Sequence, residues 1–191
     1  LGRVAAHNFS GPDRFIGAQL MAVSGPLARS IEDLELGLRV MANHDHRDPW
    51  SINMPLEGAA YVKRVAFCDA PEGIKVDYRI LKAMREALGK LEQAGWEATE
   101  VKLPPLRQAM EHQLVLWMAE MDQGAGHLVV KENDPDAVLI YDRLKKISKY
   151  TSSDQIMFAL QERANLTRQW KKFLFDYPLL LCPVSCSLPF D

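Results

Sequence analysis

The sequence predicts an α/β fold, and three observations carry that expectation. Between Arg64 and Pro104 a short apolar run, a long helical pattern and a second strand pattern follow one another. From 105 to 175 the apolar spacing is mostly that of helices. The longest apolar run, Tyr177 to Pro183, has the length of a buried strand and falls far short of the roughly 18 residues that cross a bilayer.

The composition sets limits on function. An apolar content of 48 % in 191 residues is enough for a real core. A net charge of -2 leaves no basic excess for nucleic acid or an anionic membrane surface. The cysteines, Cys68, Cys182 and Cys186, are an odd and sparse set, which reads as reduced thiols and a cytoplasmic protein. Cys182 and Cys186 stand in a C-x3-C spacing with no second pair. They read as small apolar side chains of a strand rather than metal ligands.

Taken in order, residues 1 to 23 are irregular, punctuated by Asn8, Ser10, Gly11, Pro12, Asp13 and Gly17. A helix then opens at Ser30, a good N-cap, with Asp33 placed to complete a capping box. Glu32 and Asp33 also suit the positive end of the helix dipole. Ile31, Leu34, Leu38 and Met41 recur at helical spacing and predict one buried stripe. Residues 64 to 69 read as a short buried strand, and Gly73 marks a loop. Asp77 can cap a helix whose stripe is Leu81, Met84, Leu88 and Leu91, with Gly95 as its left-handed C-terminal cap. The strand in "WEATEVKLP" follows. Strand, helix, strand is a β-α-β unit, so the two strands are expected to be parallel.

A further helix is expected from Pro105 to about Trp117, a loop from 123 to 136, and a helix from Ala137 to Lys149. A long helix should begin at Ser152 or Ser153 with Ile156, Leu160, Leu166, Trp170 and Phe173 facing inward. It ends before "DYPLLLCPVS", which reads as a fully buried strand.

Few constellations offer chemistry. His44, Asp45, His46, Arg47 and Asp48 hold metal-ligand types, but in an extended stretch Asp45 falls on the face opposite His44 and His46, and a polar turn after the helix is the expectation. No Gly-rich phosphate cradle and no G-x-S-x-G elbow occurs. No serine stands in a context that would activate it. Among the tryptophans, Trp117 precedes a loop-rich segment that could border a cavity.

The chain resembles the amidase signature family of serine amidohydrolases, on several motifs in the family's order. They are Gly2-Arg3-Val4, then Gly25-Pro26-Leu27-Ala28-Arg29-Ser30-Ile31-Glu32-Asp33, then Asp45 to Pro49. The β-α-β unit from Arg64 to Pro104 and the strand segment from Phe175 to Phe190 complete the match. The Gly-Pro-Leu-Ala-Arg-Ser segment is the most specific piece. The match is weak from about 106 to 160, and Cys182 stands where the family often has Thr.

The resemblance implies an α/β/α sandwich with a mixed central sheet flanked by helices. Residues 1–191 would be part of one such domain, cut short at both ends: the β-α-β unit at 64–104, a mostly helical part at 105–175, and a buried strand and exit at 176–190. It implies hydrolysis of a small-molecule carboxylic amide by a Ser–cis-Ser–Lys triad, with no metal and no organic cofactor. The family's triad lies upstream of Gly-Arg-Val, so no catalytic residue matches here, and the chain alone is expected to be inactive. Phe9, Phe15 and Trp117 are the candidates for lining the acyl pocket. Two other readings stand beside this one: an amidotransferase subunit of the same family, and a non-catalytic binding or scaffold domain. No nucleic acid or membrane partner is expected. An unpaired sheet edge would favour self-association, as in a homodimer.

Overall fold

The computed structural model describes residues 2–6, 13–58, 60–148 and 152–189. The chain divides into two compact units. One is Leu1–Ala59 with Ala119–Ala137, and the other is Ala60–Met118 with Val138–Asp191.

The second unit holds the sheet. Strand β1 (Arg64–Phe67) is its centre, with β2 (Glu97–Glu100) on one side and β3 (Leu179–Leu181) on the other. Both pairings are parallel, with Val65 opposite Ala98 and Leu179. The expected β-α-β unit is therefore present. The antiparallel strand of a mixed sheet is not among these three. Val65 and Ala66 are fully buried and Phe67 nearly so, as befits a central strand with both faces covered.

Between β1 and β2 runs α3 (Tyr78–Gln93). Asp77 caps it by accepting from Arg79 N at 2.9 Å. Gly95, at a φ of 83°, closes it. Gly95 N donates to Glu92 O at 2.9 Å and Trp96 N to Leu91 O at 3.0 Å, so the last carbonyls find partners. Met84 is buried on the helix's inner face, and the Arg85 guanidinium lies 5.8 Å from the centre of the Phe67 ring.

Helix α4 (Arg107–Gln123) starts on the carboxylate of Glu72, which accepts from Leu106 N and Arg107 N at 2.8 and 3.0 Å. The Arg107 and Leu106 amides hold the Glu72 carboxyl below its ordinary range. The helix runs six residues past Trp117. Helix α7 (Ser153–Asp176) meets α4 through an edge-on contact of His112 with Phe158 and through Gln108 to Glu162 at 3.3 Å. Leu166 is buried, and Ile156, Leu160, Trp170 and Phe173 are half-buried, as their spacing predicts.

The first unit carries α1 (Ile16–Met21), α2 (Ile31–Met41) and α5 (Gly126–Glu132). Helix α6 (Pro135–Ser148) begins on Asp134, whose carboxylate accepts from Asp136 N and Ala137 N.

Three expectations need correction. The stripe of α2 is not buried: Leu34 and Leu38 are half-covered, while Ile31 is 73 % and Met41 37 % exposed. Spacing shows that a face is apolar, but its burial depends on how much packs against it. The loop expected at 123–136 contains α5, because Asn133, in the left-handed region at a φ of 57°, caps a helix there. The strand expected as fully buried, β3, is three half-buried residues at a sheet edge.

Candidate functional site

The Gly2-Arg3-Val4 segment and the stretch that follows α2 meet in the first unit. Gly2 has a φ of 80°, and a Cβ there would sit 1.9 Å from the Trp50 carbonyl oxygen. No side chain fits. Gly2 O accepts from Ile52 N at 2.9 Å, and Arg3 Nη1 donates to Pro55 O at 2.7 Å. Asp48 locks the arrangement. It is 6 % exposed, and its two oxygens accept from Ala6 N at 2.8 Å and Trp50 N at 2.9 Å. A buried carboxylate is tolerable here because both oxygens are hydrogen-bonded. The Gly-Arg-Val and Asp-Pro stretches are thus two sides of one backbone brace.

Helix α1 hangs on the same frame. The carboxylate of Glu120, on α4, accepts from Gly17 N and from Ala18 N, the latter at 3.1 Å. A Cβ at Gly17 would lie 2.6 Å from Glu120 Oε1, so glycine is what lets the carboxylate approach. At the helix's far side Gln19 Oε1 accepts from Trp50 Nε1 at 2.9 Å. Ala6, Arg14, Gln19, Asp48 and Trp50 line a cleft of about 60 Å³. That is room for a few waters at most, not for an organic amide.

The polar turn after α2 is a turn. Asp45 pairs with Arg47 at 2.6 Å, and that guanidinium, with Arg47 N, holds its carboxyl well below the usual range. Ser51 Oγ lies 3.1 Å from His44 Nδ1. It also accepts from Asp45 N at 3.0 Å, and among the described residues no carboxylate orients His44, as a catalytic dyad needs. No group of three or more metal-binding side chains gathers among the described residues. Burial pushes the Cys68 and Cys182 thiols up, so neither is an activated nucleophile.

Of the expected pocket residues, Phe9 lies outside the described residues. Phe15 is the N-cap of α1 and 49 % exposed; Trp117 is on α4 and 50 % exposed. Phe15 belongs to the first unit and Trp117 to the second. Two residues hold roles that the sequence reading missed. Asp48 had a usable signal, since Asp before Pro-x favours an Asx-type turn that ties down nearby amides. Glu120 had none: a glutamate on a helix reads as a solvated residue.

The chain is 30 % identical over 189 residues to an indoleacetamide hydrolase of Bradyrhizobium diazoefficiens, covering 97 % of this chain and 36 % of that protein. It is 32 % identical to an indoleacetamide hydrolase of Bradyrhizobium japonicum, covering 96 % of this chain and 40 % of the relative. The chain thus spans well under half the length of these curated relatives. A glutamyl-tRNA(Gln) amidotransferase subunit of Beijerinckia indica is 31 % identical over 105 residues, which is 51 % of this chain and 21 % of that protein. Residues 15–191 match the Amidase family, and the chain belongs to that family.

Proposed function

We propose that the chain is part of an amidase acting on a small aryl-substituted carboxamide, releasing the acid and ammonia. One observation carries this. The two relatives matched along 96 % or more of the chain are both named for indoleacetamide hydrolysis, whereas the amidotransferase subunit matches about half of it. In the chemistry the family resemblance implies, a lysine acting through a bridging serine takes the proton of a nucleophilic serine. The serine oxygen bonds the acyl carbon, the C–N bond breaks, and the leaving nitrogen takes a proton. Water then cleaves the ester to the acid. On the family resemblance, that triad lies in the segment upstream of Gly2-Arg3-Val4. The share of this chain is to help line the acyl pocket: Phe15, half-exposed in the first unit, is one candidate for contact with a flat apolar group, and Trp117, half-exposed in the second, is a separate one.

Ammonia release from indole-3-acetamide by the complete protein tests the reading, with the 191-residue chain expected to release none. Hydrolysis by the purified chain alone would overturn its assigned share. Trp117→Ala should weaken aryl-amide binding; unchanged kinetics would remove Trp117 from the pocket. The amidotransferase reading rests on the 105-residue match and predicts glutamine-dependent amidation of a charged tRNA instead. A scaffold domain would do neither.

Two further features belong to this proposal. With β2 and β3 at the edges of the described sheet, the isolated chain is expected to self-associate; a clean monomer by light scattering counts against it. The three free thiols fit a cytoplasmic location. No helix among the described residues is long and apolar enough to cross a membrane.

A further inference from the structure

We infer that Glu120 is a positioning residue that sets Phe15, and through it the reach of the aryl pocket; the inference rests on the amidase reading above. Glu120 commits both carboxylate oxygens to consecutive backbone amides, Gly17 and Ala18, at the first turn of α1. Free first-turn amides are what an acceptor there satisfies, and two bonds to adjacent amides fix the turn's rotation as well as its place. Phe15 is the residue directly before that turn, and its carbonyl accepts from Gln19 N at 2.9 Å. The rotation of the turn therefore decides where the Phe15 ring goes.

The ring goes over Gly124. One turn beyond Glu120, a Cβ at Gly124 would stand 2.9 Å from Phe15 Cε2 and 3.7 Å from its Cζ. Gly124 N donates back to Glu120 O at 2.8 Å. Two glycines and one carboxylate thus make a seat. Gly17 lets Glu120 reach the α1 backbone, and Gly124 leaves room for the edge of the Phe15 ring at the end of α4. About half of the residue is exposed. A half-exposed aromatic ring that sits against Gly124, on a backbone fixed by two hydrogen bonds to Glu120, is pre-organised to stack on a flat apolar group. A phenyl ring has no proton to give or take, so its effect should fall on binding and on choice of substrate.

The test is steady-state kinetics of the complete enzyme on indole-3-acetamide, phenylacetamide and acetamide. Phe15→Ala checks the pocket reading: KM should rise about tenfold for the two aryl amides, the loss of one stacked ring face, and stay within about twofold for acetamide. Glu120→Ala should copy that pattern with kcat nearly unchanged. Glu120→Gln, which keeps one acceptor oxygen for one of the two amides, should fall between it and the native enzyme. Gly124→Ala displaces the ring by another route and should again raise aryl KM alone. If Phe15→Ala leaves aryl KM unchanged, the pocket reading fails and this inference with it. If Phe15→Ala has its effect but Glu120→Ala and Gly124→Ala do not, only the positioning role is overturned. An equal loss of kcat on all three substrates would mark Glu120 as a structural residue and also overturn it. Should Glu120→Ala fail to fold, Glu120→Gln and Gly124→Ala decide the matter by the same criteria.

Discussion

Helices α2 and α3 are written in the same language and end in different places. Each opens on a side-chain cap, Ser30 accepting from Asp33 N at 3.1 Å and Asp77 from Arg79 N at 2.9 Å. Each carries an apolar stripe at helical spacing. On α3 the stripe meets the sheet, and Met84 is 7 % exposed. On α2 no residue is buried, and Leu36 and Val40 are 62 % and 67 % exposed. The difference lies in what covers each helix, not in its local code. Burial is a property of two surfaces, and a helix supplies only one.

The comparison can be broken at several points. The largest effect should come from the sheet that α3 rests on. Val65→Asp places a charge on a fully buried central strand and should cost at least about 4 kcal/mol, enough to abolish the cooperative urea transition of the second unit. Met84→Ala should cost about 3 kcal/mol, the transfer and cavity cost of a buried methionine. On α2, Leu36→Ala should stay within about 0.5 kcal/mol. Equal losses for Met84→Ala and Leu36→Ala in urea unfolding would mean that α2 is covered as α3 is.

Smaller effects sharpen the ends of the helices. Gly95→Ala forces a Cβ into the left-handed region, though nothing lies within 4 Å of it. It should cost about 1 kcal/mol, measured by the same unfolding curves. Ser30→Ala removes the cap of α2 and should cost about 1 kcal/mol. Because α2 has no buried face, that loss should appear as local fraying by amide exchange rather than a shift of the whole transition.

The smallest effect is a pH dependence of the α3 cap. The Arg79 guanidinium, and then the Arg79 amide, hold the Asp77 carboxyl down at about 2. A carboxyl depressed in the folded state stabilises it above its ordinary value and ceases to do so as it is protonated. The contribution should therefore be full above roughly pH 4 and fade as the pH falls towards 2. Asp77→Asn keeps a capping acceptor and should flatten that part of the profile. An unchanged profile would show that Arg79 does not hold the carboxylate.

The helix missed from sequence, α5, teaches the same lesson from the other side. Gly124, Gly126, Asn133 and Pro135 read as loop punctuation. In the structure they are boundaries: Gly124 seats Phe15, Asn133 closes α5 and Pro135 opens α6. Seven residues between stop signals are too few for a clear period, so the punctuation outweighed the helix it enclosed. The brace at Asp48 was half-legible. Its motifs could be seen as motifs, but the bonds that join them span 42 residues from Ala6 to Asp48 and 50 from Gly2 to Ile52.

By itself the sequence determined the local matter: β1, α3 and β2 with their caps, the left-handed glycine at 95, the inward face of α7 and the likeness to amidases. These depend on backbone sterics, capping groups and spacing within a few residues, all of which are present in the chain order. The tertiary structure alone decided which apolar faces are covered, that Asp48 holds two distant backbones together, and that Glu120 carries α1. Each of those needs groups far apart in the chain to meet, and a hydrogen bond or a buried face exists only where the partner arrives.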